Sequence, residues 1–357
     1  MLRRFPVLLL CGLLVAGSLR AQTPAAPDRY NTPAQEPNPD DVYNTPAQEP
    51  TEPEAAAPDA PPPAAAPVPE GQPIAPNDWL SIQVELHRRG FSCGSIDGVR
   101  GLQTATSLKA WQKNEGLKET GEFDRATRDV LKLTAPALTE YTFTVVDLGG
   151  ISPVPATWLE KSQLDGLRYN TALELVAERS RANPKLITKL NPNVNWDHVL
   201  PGTVLTVPSA EPTIPQVKVA RIHVYLAEHI LQVVDPSGRI LLHCPVSIAK
   251  NVEKRPVGEL HIVVVAPDPN YTFDPVNFPE VPEAAELGRK LIIPPGPNNP
   301  VGVAWIGLDR PGYGIHGTPD PEKVGRTESH GCFRLANWDA RTVLSLIWTG
   351  MPVMVDE

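Results

Sequence analysis

The chain has 357 residues, 42 of them proline, and a formal net charge of −9. That length exceeds one ordinary hydrophobic core, and so much proline cannot sit in globular domains, so several modules and at least one spacer are expected. An acidic balance with no Lys/Arg cluster argues against a nucleic acid or an anionic membrane surface as partner, because both are bound through concentrated positive charge.

Met1-Leu2-Arg3-Arg4 precedes an apolar run from Phe5 to Ala16, the layout of a secretory signal with cleavage expected after Ala21. The run is shorter than the ~20 residues a membrane-spanning helix needs, so contact with the membrane is expected only during export. Residues 22–76 hold 16 prolines and a repeated octapeptide, Tyr30 to Pro37 and Tyr43 to Pro50. Such sequence buries too little apolar surface to offset the entropy of ordering it, and reads as a disordered spacer. Removal of the signal leaves Cys93, Cys244 and Cys332, an odd number. At least one thiol then stays outside any internal disulfide.

Residues 77–134 turn helical. Asp78 reads as an N-cap with a first helix to Arg89, a second helix spans Thr104 to Glu115 with Ala105, Leu108 and Trp111 on one face, and a third starts near Asp124. The pattern Val84-x-Leu86-x3-Gly90-Phe91, Ile96-Asp97-Gly98, Leu108-x2-Trp111-Gln112 and Gly116-Leu117 resembles a three-helix peptidoglycan-binding domain.

Residues 140–209 open with the alternating strand Tyr141 to Val145 and close with Thr203 to Val207. Between them lie a helix carrying Leu173, Val176 and Ala177 and a second opened by Asn183-Pro184 in cap and first-turn positions. This βααβ order, with Leu190-Asn191-Pro192 and Leu200-Pro201-Gly202-Thr203, resembles a LysM module, although the 147–169 connection is much longer than that module's. It is expected either to bind glycan or to brace the next domain.

Residues 217–357 read as mainly β. Strands are predicted at Arg221 to Leu226, Ile230 to Val234, Arg239 to Cys244 and Leu260 to Ala266, followed by a loop-like stretch from Pro267 to Pro300 of the kind that forms lids. The chemistry concentrates beyond it, in His316-x13-His330-Gly331-Cys332, because a thiol nucleophile needs a nearby base to form thiolate. Two histidines and a thiolate could instead hold zinc, but no ligating carboxylate accompanies them. Cys93 and Cys244 read as small buried hydrophobes, and His87, His198, His223, His229, His243 and His261 as structural or surface residues.

Ser329-His330-Gly331-Cys332-Phe333-Arg334, with His316 upstream, Arg255-Pro256-Val257-Gly258 and Trp305-Ile306-Gly307-Leu308, resembles the L,D-transpeptidase family. The resemblance implies a β-sandwich-like catalytic domain, Cys332 as nucleophile, His316 as general acid/base, His330 as an auxiliary and the Gly331 backbone in an oxyanion hole. Arg334, Ser329 and Tyr313 would meet substrate, with Tyr271 the other tyrosine weighed. No cofactor and no metal are implied. The implied partners are peptidoglycan stem peptides and glycan, in the periplasm or at the wall. The acceptor stays open among a stem-peptide amine, an outer-membrane lipoprotein and a D-amino acid. Water would instead make the enzyme an L,D-carboxypeptidase or hydrolase, and a wall-binding scaffold without catalysis is the reading from a different class.

Overall fold

The computed structural model describes residues 76–357 apart from 215, 279–280 and 328–330. The expected signal and nearly all of the spacer lie outside the described residues, as do Ser329 and His330.

Asp78 caps α1 (Trp79–Arg88) by accepting from the Ser81 N–H at 2.7 Å. Gly90, at φ +82°, then reverses the chain in a conformation that side chains disfavour. α2 (Leu102–Asn114) and α3 (Arg125–Val130), the latter capped by Asp124, fold against α1 around Leu86, Leu108, Trp111 and Leu131. Val234 and Ile240 of the C-terminal sheet complete this same core, so the helical domain does not close on itself.

The middle module pairs β1 (Leu138–Thr142) antiparallel with β2 (Val204–Pro208). The long connection after β1 holds two short helices, α4 (Val145–Gly149) and α5 (Trp158–Lys161), both with capping boxes. α6 (Ala172–Arg179) and α7 (Pro184–Leu190) follow and bury Leu175 and Ile187 against Phe143 and Leu205.

The C-terminal domain contains β3 (Arg221–Tyr225), β4 (Ile230–Val234), β5 (Ile240–Pro245), β6 (Gly258–Pro267), β7 (Tyr271–Phe273), α8 (Ala284–Leu287) and β8 (Leu291–Ile293). β9 (Ala304–Leu308), β10 (Gly314–His316), β11 (Phe333–Arg334), α9 (Asn337–Leu344) and β12 (Pro352–Asp356) complete it. Eight of these strands make one curled sheet in the order β11-β10-β9-β6-β12-β3-β4-β5. The expected sandwich is therefore one continuous sheet. Ten-residue β6 is the reason: its first part pairs with β12, its second with β9, and the register shifts between Ile262 and Val264 where the strand passes from one neighbour to the other. The core, including Ile222, Leu231, Ile262, Ile306, Ile315, Phe333 and Val353, lies inside the curl.

The stretch 267–300, expected as loop, contains a ladder, β7 antiparallel to β8. Three-residue strands give too short an alternation to be read from sequence.

Candidate active site

β10 carries His316 and lies between β9 and β11. Cys332 directly precedes β11, which runs parallel to β10 with Ile315 opposite Phe333 and His316 opposite Arg334. Sheet pairing thus brings to neighbouring strands two residues that sequence separates by a loop. Leu335 N–H donates to the His316 carbonyl at 2.8 Å and fixes the register beyond the strand ends.

The His316 imidazole is wholly buried, and its Nδ1 lies 2.6 Å from the Gly317 carbonyl oxygen. A carbonyl only accepts, so Nδ1 carries the proton and Nε2 holds the lone pair. Among the described residues Nε2 has no hydrogen-bond partner. Burial pulls the imidazole pKa down to about 3, the Gly317 hydrogen bond opposes this, and the nearby Arg334 charge adds to it. His316 is therefore a neutral imidazole near pH 7.

Cys332 is 2 % exposed and its thiol donates to the Gly312 carbonyl at 3.6 Å. It belongs to an apolar cluster with Tyr271, Phe273, Leu291, Val301, Trp305 and Trp158. The Trp305 indole lies 5.8 Å from the His316 ring and crosses β10 at Gly314, where a Cβ would come within 2.6 Å of it. Arg334 is buried, donates to Thr327 Oγ1 at 3.5 Å, and exchanges backbone hydrogen bonds with Ser247.

The two tyrosines part company: Tyr271 lies in the Cys332 cluster, whereas Tyr313 packs into the sheet core with Arg310 stacked 4.5 Å over its ring. Cys93 and Cys244 are buried and unpaired, with burial pushing the Cys93 thiol up to about 12 and that of Cys244 well above its usual value. Among the described residues no group of three His, Cys, Asp or Glu is arranged to hold a metal ion. His330, the remaining member of the zinc set, is not among those residues.

Sequence reasoning passed over Trp305 as a neighbour of His316, and gave no role to Glu178, which reaches this region from α6. The first had a signal, since Trp305 opens the family-like run Trp305-Ile306-Gly307-Leu308; the second had none. A separate cavity of about 780 Å³ lies between α1 and the β1–β2 ladder, lined by Arg88, Arg89, Arg179 and Arg181. It contains none of the predicted site residues, and its arginines bond to Glu85, Asp147, Glu211 and backbone carbonyls.

Residues 219–355 match the family described as "L,D-transpeptidase catalytic domain", and residues 76–131 match "Putative peptidoglycan binding domain". The chain carries an L,D-transpeptidase catalytic domain. It is similar to "Putative L,D-transpeptidase YkuD" of Bacillus licheniformis, 27% identical over 185 residues, covering 51% of this chain and 92% of the relative. "Putative L,D-transpeptidase YqjB" of Bacillus subtilis is 32% identical over 117 residues, covering 31% of this chain and 57% of that one. "Probable L,D-transpeptidase YbiS" of Escherichia coli is 28% identical over 189 residues, covering 52% and 60%. The chain thus spans nearly all of the first relative but little more than half of the other two. A solved L,D-transpeptidase from Mycobacterium smegmatis superposes over 44% of this chain and 65% of its own, at 18% identity and a TM-score of 0.31, too low to add weight. Within the transpeptidase domain the matched span takes in every strand from β3 to β11 and the site just described.

Proposed function

We propose that the protein is a cysteine-dependent L,D-transpeptidase acting on peptidoglycan stem peptides outside the cytoplasm, with the LysM-like middle module as part of its wall-facing body. The observation that carries this reading is the His316 tautomer. Its Nδ1–H is tied to Gly317, so His316, on the strand beside the one that Cys332 precedes, keeps its Nε2 lone pair for the Cys332 thiol proton.

In the first half-reaction Nε2 takes the proton from Cys332 Sγ as the sulfur attacks the carbonyl carbon of the third stem residue, a diamino acid. Backbone N–H groups at Gly331 and Cys332 would receive the oxyanion. The tetrahedral intermediate collapses, the C–N bond breaks, and the terminal D-amino acid leaves with the proton from Nε2. The acceptor amine then attacks the thioester, gives its proton to Nε2, and the thiol is restored as sulfur departs.

The low basicity of buried His316 fits this order. A preformed thiolate–imidazolium pair is disfavoured, and the proton moves as charge passes to the substrate oxygen. Arg334 supplies the positive charge beside the pair and a planar fork for a substrate carboxylate. Ser329 and His330 keep the substrate-facing and auxiliary roles that the family motif implies.

Intact-protein mass spectrometry of wild type and Cys332→Ala, incubated with a disaccharide-tetrapeptide, tests the reading. Acyl-enzyme and cross-linked or exchanged products that disappear in the variant are expected. Tripeptide as sole product would replace transfer by hydrolysis, and unchanged substrate in both would remove catalysis altogether.

A further inference from the structure

Glu178 lies at the end of α6 in the middle module, yet it is buried against the transpeptidase domain. Its Oε2 accepts from Asn337 Nδ2 at 3.0 Å and its Oε1 from the Tyr169 hydroxyl at 3.1 Å. Asn337 opens α9, has no exposed surface, and uses all of its amide. Nδ2 also donates to the Pro297 carbonyl at 3.1 Å, while Oδ1 accepts from the Val303 N–H at 3.3 Å.

Those bonds set the direction of the amide. Two acceptors face Nδ2 and a donor faces Oδ1, so a flip would put donor against donor. Oδ1 is pressed onto the crossing of Gly302 and Gly317, where a Cβ on either glycine would collide with it. Gly317 in turn donates its N–H to the Ala304 carbonyl at 3.2 Å and offers its own carbonyl to His316 Nδ1.

We propose that Glu178 is a positioning residue for the thiol–imidazole pair: it orients Asn337, Asn337 pins Gly317, and the Gly317 carbonyl holds His316 in the tautomer that can accept a proton. The inference rests on the reading of His316 as base. Simple cohesion between modules would be served at least as well by an apolar pair, since burying a carboxyl costs solvation that hydrogen bonds only partly restore. A carboxyl is warranted here because an aliphatic side chain cannot dictate which way an amide points. The charged and titratable groups around Glu178 are Glu174 on its own helix, Tyr169 before it and Arg341 on α9; Arg334 faces His316.

The test is alkylation of Cys332 by iodoacetamide in the full-length protein from about pH 5 to pH 10, located by peptide mass spectrometry, with melting temperatures recorded alongside. Cys93 and Cys244 are as buried as Cys332, but burial holds the Cys93 thiol up at about 12 and that of Cys244 well above its usual value, so they serve as internal controls. His316→Ala is expected to displace the pH profile from that of wild type. Glu178→Ala should slow labelling near neutral pH by about tenfold and move its profile toward that of His316→Ala, whereas Glu178→Gln, whose oxygen can still accept from Asn337, should stay within about twofold of wild type. A folded Glu178→Ala with the wild-type profile overturns the proposal. If that variant does not fold, Glu178→Asp, which withdraws the carboxylate by one methylene, is read by the same criterion. A profile insensitive to His316→Ala sinks the underlying base assignment instead, a different result from one sensitive to His316 and indifferent to Glu178.

Discussion

His316 is held through one nitrogen and packed by one aromatic ring, so its surroundings can be perturbed in separate ways. Gly314→Ala would place a Cβ 2.6 Å from the Trp305 indole, which must then shift from beside the imidazole. A cost of about 1–3 kcal/mol is expected from overpacking, with slower acylation of Cys332, read by urea unfolding and single-turnover mass spectrometry. The buried carboxyls predict a pH effect. Burial pushes Glu178 up from 4.5 to about 7 and Asp339 from 3.8 to about 7. A raised folded-state pKa means their contribution to stability is complete below the unfolded value and drains away as pH rises toward about 7. Buried His87, His243 and His316, lowered from 6.5 to about 3, act oppositely: their contribution is present above 6.5 and is lost as pH falls toward 3. Glu178→Gln removes one group of the first kind. Its unfolding free energy should decline less than that of wild type between about pH 5 and pH 7.5, as denaturant titrations at several pH values would reveal; parallel curves would exclude Glu178 as a contributor.

At the scale of elements, the long connection in the middle module is a strut on the segment that carries β7, α8 and β8. Trp158 of α5 stacks on Phe273 of β7 at 4.3 Å and 7°, and its backbone N–H donates to Glu283 beside α8. Leu167 N–H donates to the Pro295 carbonyl, and the Leu167 carbonyl accepts from Asn298 N–H. Packing and hydrogen bonds thus fasten both ends of that segment to the middle module. Trp158→Ala should cost on the order of 3 kcal/mol locally, raising amide exchange across 271–293 while leaving β3, β4 and β12 protected. Equal acceleration everywhere would mean that the strut and the sheet unfold together. The opposite edge of the sheet is closed by the helical domain. Ser92 N–H donates to the His243 carbonyl and His243 N–H to the Gly90 carbonyl, both at 2.8 Å, while the Asn114 amide bonds both backbone groups of Ile240. This covers β5, the edge strand that would otherwise offer unpaired backbone to another chain.

Across residues 76–357 the modules share cores and polar contacts, and they should not melt separately. Val84 and Ile96 of the helical domain sit in the middle module's core, and Ser92 Oγ donates to buried Asp339 on α9 at 2.9 Å. One calorimetric transition is expected, and a transpeptidase domain cut at residue 217 should melt lower than the whole, having lost the partners of Asp339, Asn337 and β5. Two resolved transitions in the intact chain would contradict this.

Local chemistry was readable where it repeats along the chain. Asp78, Asp124 and Asn183 cap helices because a short polar side chain can satisfy the first free N–H groups, and that needs only neighbours in sequence. The strands about the 227–229 turn follow from alternation, and the thiol–imidazole motif from its spacing and glycines. Long-range pairing decided the rest. Parallel pairing of β10 with β11 places His316 beside the Cys332 strand, β6 carries one sheet past two neighbours, and Glu178 reaches Asn337 across 159 residues. No periodicity announces such contacts, because each depends on where another module's surface falls after folding. Sequence by itself thus determined which residue types the proposed chemistry draws on and where the longer helices and strands lie. Tertiary structure alone decided the tautomer of His316, the fastening of β7 and β8 to the middle module and the hydrogen bond of Glu178 to Asn337, because each is a hydrogen bond or a packing contact between groups that only the folded chain brings within reach.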